Sequence, residues 1–271
     1  LGDPRHRGRG DEPRPAPRAR VSAQAAPVMV VTGGGRGIGA ATSRLAAQRG
    51  YAVCVNYLRN RDAAESVVRE IESSGGSAKA VAGDIASESD VVRLFGEAAK
   101  LGAIRALVNN AGILERQARL ADMEAARFER VFAINITGAF LCAREAVRRM
   151  STRHGGAGGV IVNVSSMASR LGSPGEYVDY AASKGAIDSL TIGLAKEVAA
   201  EGIRVNAVRP GVIYTEIHAS GGEPGRVDRV KSAVPMQRGG QPDEVARAIL
   251  WLCSDESSYS TGTFIDVSGG R

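Results

Sequence analysis

A hydroxyl, a phenol and an amine occur at spacings that would let them act together on one carbonyl group. Tyr180 and Lys184 are four residues apart, so a helix would place them on one face, one turn apart. A phenol titrates near ~10 and is a slow acid at neutral pH, but a neighbouring ammonium favours the phenolate and should lower that pKa. The apolar run 159–164 predicts a strand that ends at Ser165 and Ser166, where α/β sheets form their ligand crevices.

A tyrosine and a lysine at helical spacing are a weak signal alone, because such pairs usually lie on a solvated helix face. A second motif strengthens the catalytic interpretation. The apolar run Val28–Thr32 predicts a buried strand that leads into Gly33, Gly37 and Gly39 and then into a helical pattern. Glycines permit a tight turn and let backbone N–H groups approach a pyrophosphate at a helix N-terminus. The spacing meets the usual dinucleotide fingerprint only if Ala40 replaces its last glycine. A purely structural turn is the alternative, and the flanking strand and helix favour the cofactor.

Short apolar runs and helical patterns alternate along the rest of the chain. The predicted strands are Val28–Thr32, Ala52–Asn56, Ser77–Ala82, Ile104–Val108, Val160–Val164, Ile203–Val208 and Thr263–Val267. The predicted helices are Ile38–Gln48, Arg61–Ser73, Glu88–Lys100, Met123–Met150, Glu176–Ala200 and Pro242–Ser254. This alternation predicts a doubly wound α/β domain with a parallel sheet and with all strand ends at one edge. The segment 211–234 is long for a connection, which indicates either a functional lid or a flexible insertion.

Five ordered motifs resemble those of the short-chain dehydrogenase/reductase family. In chain order they are Thr32-Gly33-Gly34-Gly35-Arg36-Gly37-Ile38-Gly39, Asn109-Asn110-Ala111-Gly112, Asn135, Ser166 with Tyr180 and Lys184, and Arg209-Pro210-Gly211. The resemblance covers about residues 27–271 and implies one Rossmann-like domain, 28–271, with a seven-stranded sheet and a substrate lid at 211–234. Members similar to 3-oxoacyl-carrier-protein reductases and glucose 1-dehydrogenases come nearest.

The resemblance implies an oxidoreductase that interconverts a carbonyl and an alcohol by hydride transfer. Tyr180 would be the general acid and base, and Ser166 would donate a hydrogen bond to the substrate oxygen. Lys184 would hold the nicotinamide ribose and lower the pKa of Tyr180, and Asn135 would position a water in a proton relay. The alternative is a dinucleotide-binding sensor without turnover. Loss of the serine, tyrosine or lysine would favour the sensor, and all three are present.

Two neighbours of these residues need separate interpretations. Ser166 precedes Tyr180 by 14 residues where many relatives have thirteen, and one extra residue within 171–175 would explain the difference. Ser165 is the alternative serine, but alternation along a strand should turn its side chain to the opposite face. Tyr177 has no lysine four residues further on, so it is expected to flank the substrate pocket.

NADP(H) is the expected cofactor, with NAD(H) as the alternative. The second predicted strand ends at Asn56, without the acid that usually accepts the ribose hydroxyls of NAD. Arg59 and Arg36 are available to meet a 2′-phosphate. The full set of cofactor contacts expected from the resemblance is Gly33, Gly35, Arg36, Gly37, Ile38, Gly39, Asn56, Arg59, Asp84, Ile85, Asn109, Ala111, Gly112, Tyr180, Lys184, Pro210, Gly211, Val212 and Thr215. Asp84 would meet the adenine and the segment from Pro210 to Thr215 the nicotinamide. No metal ion is expected.

The composition excludes several other classes of protein. No apolar run approaches the length of a membrane span, and the three cysteines lack paired spacing, which favours reduced thiols and a cytoplasmic location. Half of the net charge of +6 lies in the Arg- and Pro-rich residues 1–27, an arm predicted to be disordered. The remainder has no basic stripe interleaved with aromatic residues, so nucleic acid is not an expected partner. A small carbonyl or alcohol is the expected substrate, and the resemblance implies a homotetramer built on the helices predicted at 123–150 and 176–200.

Overall fold

Seven parallel strands form a single sheet. A computed structural model describes Gly2 and residues 26–271, so the predicted arm, 1–27, lies almost wholly outside the described residues. The strands are β1 (Val28–Val31), β2 (Ala52–Tyr57), β3 (Ser77–Ala82), β4 (Ile104–Asn109), β5 (Gly159–Val164), β6 (Ile203–Pro210) and β7 (Phe264–Val267). Their order is β3-β2-β1-β4-β5-β6-β7, with every adjacent pair parallel. The predicted seven-stranded doubly wound sheet is confirmed.

Helices cover both faces of the sheet. They are α1 (Gly37–Gln48), α2 (Arg61–Ser73), α3 (Glu88–Ala99), α4 (Ala125–Phe132), α5 (Ala139–Met150), α6 (Ala168–Leu171), α7 (Val178–Val198), α8 (Ile217–Ser220), α9 (Arg226–Val230) and α10 (Pro242–Cys253). Side-chain caps fix where some begin: Asn60 accepts from the Ala63 N–H at 3.0 Å before α2, and Ser87 accepts from the Asp90 N–H at 3.4 Å before α3. No helix among residues 26–271 is both long and apolar enough to cross a bilayer.

Two hydrophobic cores hold these layers together, one on each face of the sheet. On one face α1, α2 and α10 bury side chains such as Val67, Val245 and Ile249 against the strands. On the other face α3, α5 and α7 bury side chains such as Phe95 against the strands. Because both faces are covered, the central strand β1 is apolar and buried on both sides over all four residues.

The helix predicted over Met123–Met150 is helical from Ala125 to Met150, but it is not a single α-helix. It is α4 and α5 joined by a π-helical turn, Ala133–Gly138. A Cβ added to Gly138 would lie 2.8 Å from the Ile85 side chain, so the chain passes very close to the segment after β3 at this turn. The other long connection, 211–234, contains α8, α9 and a 3₁₀ turn, Lys231–Ala233.

Strand order reverses between β1 and β4, and a crevice opens outside the carboxyl ends of the strands at such a switch point. The predicted motifs follow strand ends on this edge. The glycine-rich segment follows β1, Ala111 and Gly112 follow β4, Ser166 follows β5 and Gly211 follows β6.

Candidate active site

Ser165 and Ser166 follow β5 with their side chains in different environments. Ser165 is buried, and its hydroxyl lies 2.7 Å from Asp188 Oδ1 and 3.2 Å from the Lys184 carbonyl oxygen. Ser166 is only partly buried, and its side chain lowers the pKa of the Tyr180 phenol against a larger opposing effect of burial. The structure therefore turns Ser166 toward the tyrosine, and Ser165 away into the fold.

Tyr180 and Lys184 lie one turn apart near the start of α7. Lys184 Nζ is 5.5 Å from the centroid of the Tyr180 ring and donates a hydrogen bond to the Val164 carbonyl at 2.8 Å. The lysine is 4% exposed, whereas the tyrosine retains partial exposure. The phenol is thus the member of the pair that a molecule in the crevice reaches directly.

Burial moves the pKa values of these two groups in opposite directions. It raises the pKa of Tyr180 to about 12, since the charged phenolate is the form that burial penalises. It lowers the pKa of Lys184 to about 8, and the carboxylate of Asp188 opposes that shift. The pKa of Tyr180 is thus raised rather than lowered as expected, and Lys184 Nζ lies over the ring while it donates to the Val164 carbonyl.

Asn135 lies in the π-helical turn and is 2% exposed. Its side chain makes a reciprocal pair of hydrogen bonds with Ile113, accepting from the N–H at 2.8 Å and donating to the carbonyl at 3.0 Å. It also donates to Ser183 Oγ at 3.1 Å. A Cβ added to Gly112 would lie 3.3 Å from Asn135 Oδ1 and 3.6 Å from Lys184 Nζ. The structure thus brings Asn135, the end of the β4 loop and the lysine together.

The glycine-rich loop is shaped by positions that exclude side chains. Gly33 and Gly37 have φ angles of +61° and +49°, in the left-handed region that favours glycine. A Cβ on Gly39 would lie 2.3 Å from the Gly33 carbonyl oxygen. At Gly35 it would lie 3.1 Å from the first turn of α2, and at Gly37 it would lie 3.1 Å from Thr215. The first turn of α1 therefore begins in a cradle that is bare backbone, the form that binds phosphate groups through free N–H donors.

The cradle is tied to the end of β4. The Asn110 side chain donates to the Thr32 carbonyl at 2.9 Å and to the Gly33 carbonyl at 3.2 Å. The Thr32 hydroxyl accepts from the N–H groups of Asn110 and Ala111, each at 3.0 Å. These bonds fix Ala111 and Gly112 beside the glycines at the switch point.

Asn56 differs from the expectation that it meets the ribose. It is 2% exposed, and its side chain accepts from the Gly33 N–H at 3.3 Å. Its amide donates to the carbonyls of Val81 and Gly83, at 3.3 and 3.0 Å. The side chain is thus used in joining the glycine loop to β3. Because side chains alternate along a strand, Tyr57 is the partly exposed residue at the end of β2.

Arg36 and Arg59 are both exposed at the adenosine end expected for the crevice. Arg36 is the N-cap residue of α1, and Arg59 precedes the N-cap of α2. Neither guanidinium forms an ion pair with any residue among 26–271. Arg36 also lines an open groove of about 850 Å³ that continues between α1, α2 and the start of α10.

The cofactor contacts expected after β3 and at the end of β4 include one partly exposed side chain and two buried ones. Asp84 is partly exposed, and one carboxylate oxygen accepts from the Ala86 N–H at 2.9 Å. Ile85 is 6% exposed with its side chain against Gly138. Asn109 is equally buried and donates to Asn163 Oδ1 at 3.0 Å. Of these three, only Asp84 presents its side chain at the surface, so Ile85 and Asn109 can contribute through their backbones alone.

The segment after β6 crosses back to the glycine loop. Gly211 N–H donates to the end of β7 at 2.9 Å, and a Cβ there would lie 2.8 Å from Ser268 Cα. The Val212 carbonyl accepts from the Gly240 N–H at 2.9 Å, and Thr215 then reaches Gly37. The turn from Pro210 to Thr215 therefore closes the crevice opposite the glycine loop.

The segment 211–234 is held by charge to the residues that precede α7. Arg226 of α9 is 8% exposed, donates to Glu176 and Glu223, and lies 4.9 Å from the centroid of the Tyr177 ring. Tyr177 is 2% exposed, and its hydroxyl has no hydrogen-bond partner within the described part of the chain. Tyr177 thus lies beneath α9.

A doubly wound sheet, a bare-backbone cradle at its switch point, and a serine, tyrosine and lysine at the adjoining strand ends together define a nucleotide-binding α/β oxidoreductase. The family model described as enoyl-(acyl carrier protein) reductase matches residues 33–271. The chain is 62% identical over 245 residues to the uncharacterized oxidoreductase YgfF of Escherichia coli (strain K12), covering 90% of this chain and 99% of that protein. It is 41% identical over 248 residues to the cis-4-hydroxycyclohexanecarboxylate dehydrogenase of Sinomonas cyclohexanicum, covering 91% and 96%.

Solved structures of similar fold are also dehydrogenases or reductases. The 3-ketoacyl-(acyl-carrier-protein) reductase of Brucella melitensis, complexed with NADH, superimposes with a TM-score of 0.83 at 33% identity, covering 90% of this chain and 98% of that one. A short-chain type dehydrogenase/reductase of Mycobacterium marinum gives a TM-score of 0.84 at 34% identity, covering 91% and 96%. The chain belongs to the short-chain dehydrogenase/reductase family and is an oxidoreductase.

Proposed function

We propose that this protein catalyses reversible carbonyl reduction with Tyr180 as the general acid and base. The observation that carries the proposal is the grouping of Ser166, Tyr180 and Lys184 at one edge of the sheet. Lys184 Nζ lies 5.5 Å from the tyrosine ring and within 3.6 Å of the Cβ position of Gly112. Gly112 belongs to the loop that is tied to the glycine cradle, so the acid–base pair and the nucleotide cradle face the same crevice.

Each side chain has a distinct role in this proposal. Tyr180 gives its phenolic proton to the substrate oxygen during reduction and removes it during oxidation. Ser166 donates a hydrogen bond to the same oxygen, where negative charge develops. Lys184 supplies a buried positive charge next to the phenol, and Asn135 fixes the β4 loop against the lysine. The nicotinamide cofactor, when bound, supplies or accepts the hydride.

The residues around the crevice fit a dinucleotide. Gly33, Gly37 and Gly39 leave a cradle that a Cβ at any of them would fill, with the N-terminal N–H groups of α1 available to a pyrophosphate. Asp84 is available to the adenine. The turn from Pro210 to Thr215 would hold the nicotinamide end.

We further propose a preference for NADP(H) over NAD(H). The end of β2 carries Tyr57 in place of an acid, so nothing there repels a 2′-phosphate. Arg36 and Arg59 are exposed, and each is without an ion-pair partner among the residues from 26 onward. A guanidinium that is not already paired is suited to binding a phosphate through two parallel hydrogen bonds.

We also propose a homotetramer and a cytoplasmic location. The outer faces of α5 and α7 expose large apolar side chains, Phe140 at 46% and Ile192 at 42%, which supports an interface between copies of this chain. Cys54, Cys142 and Cys253 are buried free thiols, which supports a reducing compartment.

The proposal is tested by following absorbance at the reduced-nicotinamide band, with NADPH and NADH over small ketones and 3-oxoacyl thioesters, and with NADP+ and NAD+ over cyclic alcohols. Tyr180→Phe should abolish turnover while it retains NADPH binding. Tyr259→Phe is the matched control, because that phenol is fully exposed and should leave turnover unchanged. Turnover by Tyr180→Phe at the wild-type rate would overturn the assignment, and a preference for NADH would overturn the cofactor.

A further inference from the structure

We propose that Asp188 is a positioning residue for this reaction, and that its ion pair with Arg209 fixes Ser166, Lys184 and the end of β6 in their reacting geometry. The inference rests on the proposed function. It adds a partly buried ion pair to the four side chains with proposed roles in the reaction.

Asp188 lies on α7, one turn beyond Lys184, with a side chain only 15% exposed. Its Oδ1 accepts the hydroxyl of Ser165 at 2.7 Å, and the same hydroxyl lies 3.2 Å from the Lys184 carbonyl. Ser165 is covalently joined to Ser166. One carboxylate oxygen therefore holds the chain beside the reacting serine against the helix that carries the lysine.

The other oxygen of Asp188 holds a second strand. Its Oδ2 accepts from Arg209 Nε at 3.1 Å and lies 3.0 Å from Nη2, which is a forked contact from β6. Arg209 directly precedes Pro210, where the turn toward the nicotinamide end begins. The carboxylate of Asp188 thus joins the ends of β5 and β6 to α7, the three elements that would carry Ser166, the nicotinamide turn and the Tyr180–Lys184 pair.

Arg209 is itself clamped on its other side. Its guanidinium lies 3.8 Å from the centroid of the Phe264 ring, and Nη1 is 3.6 Å from Asp266 Oδ1, both on β7. Asp266 also pairs with Arg170 of α6 at 3.1 Å. Alternating charges therefore run from α6 through β7 and β6 to α7. This arrangement makes the position of Asp188 rigid, which is what a group that orients others requires.

The pair also sets the charge around Lys184. The groups that face Nζ are Tyr180 and Asp188 on α7, the uncharged Asn135 on the π turn and the carbonyl of Val164 on β5. Arg209 of β6 acts on the lysine through Asp188. Burial lowers the pKa of Lys184 to about 8, and the Asp188 charge opposes that effect. Without this negative charge the lysine should lose its proton at a lower pH.

The protein contains a matched control at the opposite edge of the sheet. Glu201, just before β6, is 8% exposed and accepts from the Ser151 hydroxyl at 2.5 Å and from Arg153 at 3.1 Å. It is also a largely buried carboxylate between a serine and an arginine, but it lies at the amino ends of the strands, away from the crevice. Its replacement should perturb folding in a similar way without reaching the lysine.

The test compares Asp188→Asn with Glu201→Gln through kcat, KM and the pH profile of kcat/KM. We expect Asp188→Asn to lower kcat about ten- to a hundredfold with little change in KM, since misplacement of reacting groups acts on the chemical step. The alkaline limb of the kcat/KM profile of Asp188→Asn should move to lower pH. Glu201→Gln should keep the wild-type kcat and the wild-type limb. A wild-type kcat and limb in Asp188→Asn, or the same losses in Glu201→Gln, would overturn the inference.

A second variant decides the case if Asp188→Asn does not fold. Arg209→Met removes the forked contact but keeps the carboxylate, so kcat should fall while the limb stays in place or moves up. A wild-type kcat in this variant would refute the positioning role. Failure of the proposed function is distinguishable, because it would appear as turnover in Tyr180→Phe. Failure of the present inference alone would leave Tyr180→Phe inactive and Asp188→Asn indistinguishable from Glu201→Gln.

Discussion

Replacing Arg127 with methionine should destabilise the protein by about 3–5 kcal/mol, because it leaves a buried carboxylate without its charge partner. Arg127 Nε lies 2.7 Å from Asp179 Oδ2, and Nη2 lies 3.0 Å from Oδ1. The side chains are 10% and 1% exposed. Arg127 also donates to the Arg116 carbonyl, so it ties α4, the loop after β4 and the first turn of α7 together. Asp179 directly precedes Tyr180, which makes this pair the anchor of the helix that carries the proposed acid.

The control is another bidentate arginine–carboxylate pair that differs mainly in exposure. Arg44 contacts Glu70 at 2.5 and 3.2 Å, but the two side chains are 40% and 48% exposed. Water screens such a pair, so Arg44→Met should cost at most about 1 kcal/mol. Urea unfolding of both variants at one protein concentration, with equal m values, gives the two free energies directly.

The double variant Arg127→Met with Asp179→Leu separates charge from packing. If the loss arises from an unpaired buried carboxylate, then removing that carboxylate as well should recover much of the stability. Equal costs for Arg127→Met and Arg44→Met would refute the argument from burial. A double variant less stable than Arg127→Met alone would show that the pair itself, rather than the orphaned charge, stabilises this region.

Two further predictions concern the crevice. Gly39→Ala should abolish NADPH binding in a fluorescence titration, because its Cβ would lie 2.3 Å from the Gly33 carbonyl oxygen. Gly96→Ala is the control, since nothing lies within 4 Å of the added Cβ. This variant should bind NADPH as the wild type does and should be more stable by about 1 kcal/mol. The kcat/KM for carbonyl reduction should fall as pH rises through about 8, because the ammonium form of Lys184 prevails only below its lowered pKa. A profile that is flat across this pH would contradict the role of the lysine charge.

The sheet and much of the crevice were predictable because they depend on local signals. A run such as Val28–Val31 is apolar, mostly β-branched and followed by glycine, which is a local pattern typical of a buried strand. Residues that follow the ends of parallel strands meet at one edge by topology alone. The grouping of Ser166 with Tyr180 therefore follows from sequence spacing once the strand before the serine is recognised.

The π-helical turn at Asn135 could not be predicted in this way. Its periodicity differs too little from that of an α-helix over six residues, and it accompanies a close tertiary approach between Gly138 and Ile85. The hydrogen bond from Asn135 to Ser183 was equally unpredictable, because it is a tertiary contact between residues 48 positions apart in the sequence. The only local sign that Ser183 lies near the candidate site was its position three residues after Tyr180.

Asn56, which was expected among the cofactor contacts, differs because β2 ends one residue later than predicted. The sequence places it at the end of β2, where a ribose contact is expected, yet its side chain is turned inward by three hydrogen bonds to the glycine loop and β3. Strand alternation applied one residue further would have selected Tyr57. The side chain that faces outward at a strand end depends on where the strand ends, because side chains alternate along it. Here β2 continues one residue beyond its predicted end.

The two opposite pKa shifts in α7 have one physical cause and a consequence for the direction of catalysis. Burial keeps Tyr180 protonated throughout the neutral range, with a pKa of about 12, so the phenol is ready to donate a proton. Reduction by the proposed mechanism would therefore use the protonation state that burial maintains. Oxidation in the proposed mechanism requires the phenolate, which the positive charge of Lys184 would stabilise as the phenolic proton leaves. Because burial brings the lysine pKa to about 8, that charge is itself sensitive to pH, and Asp188 helps to retain it. The acid–base pair and the carboxylate one turn beyond it thus form a single electrostatic unit on one helix.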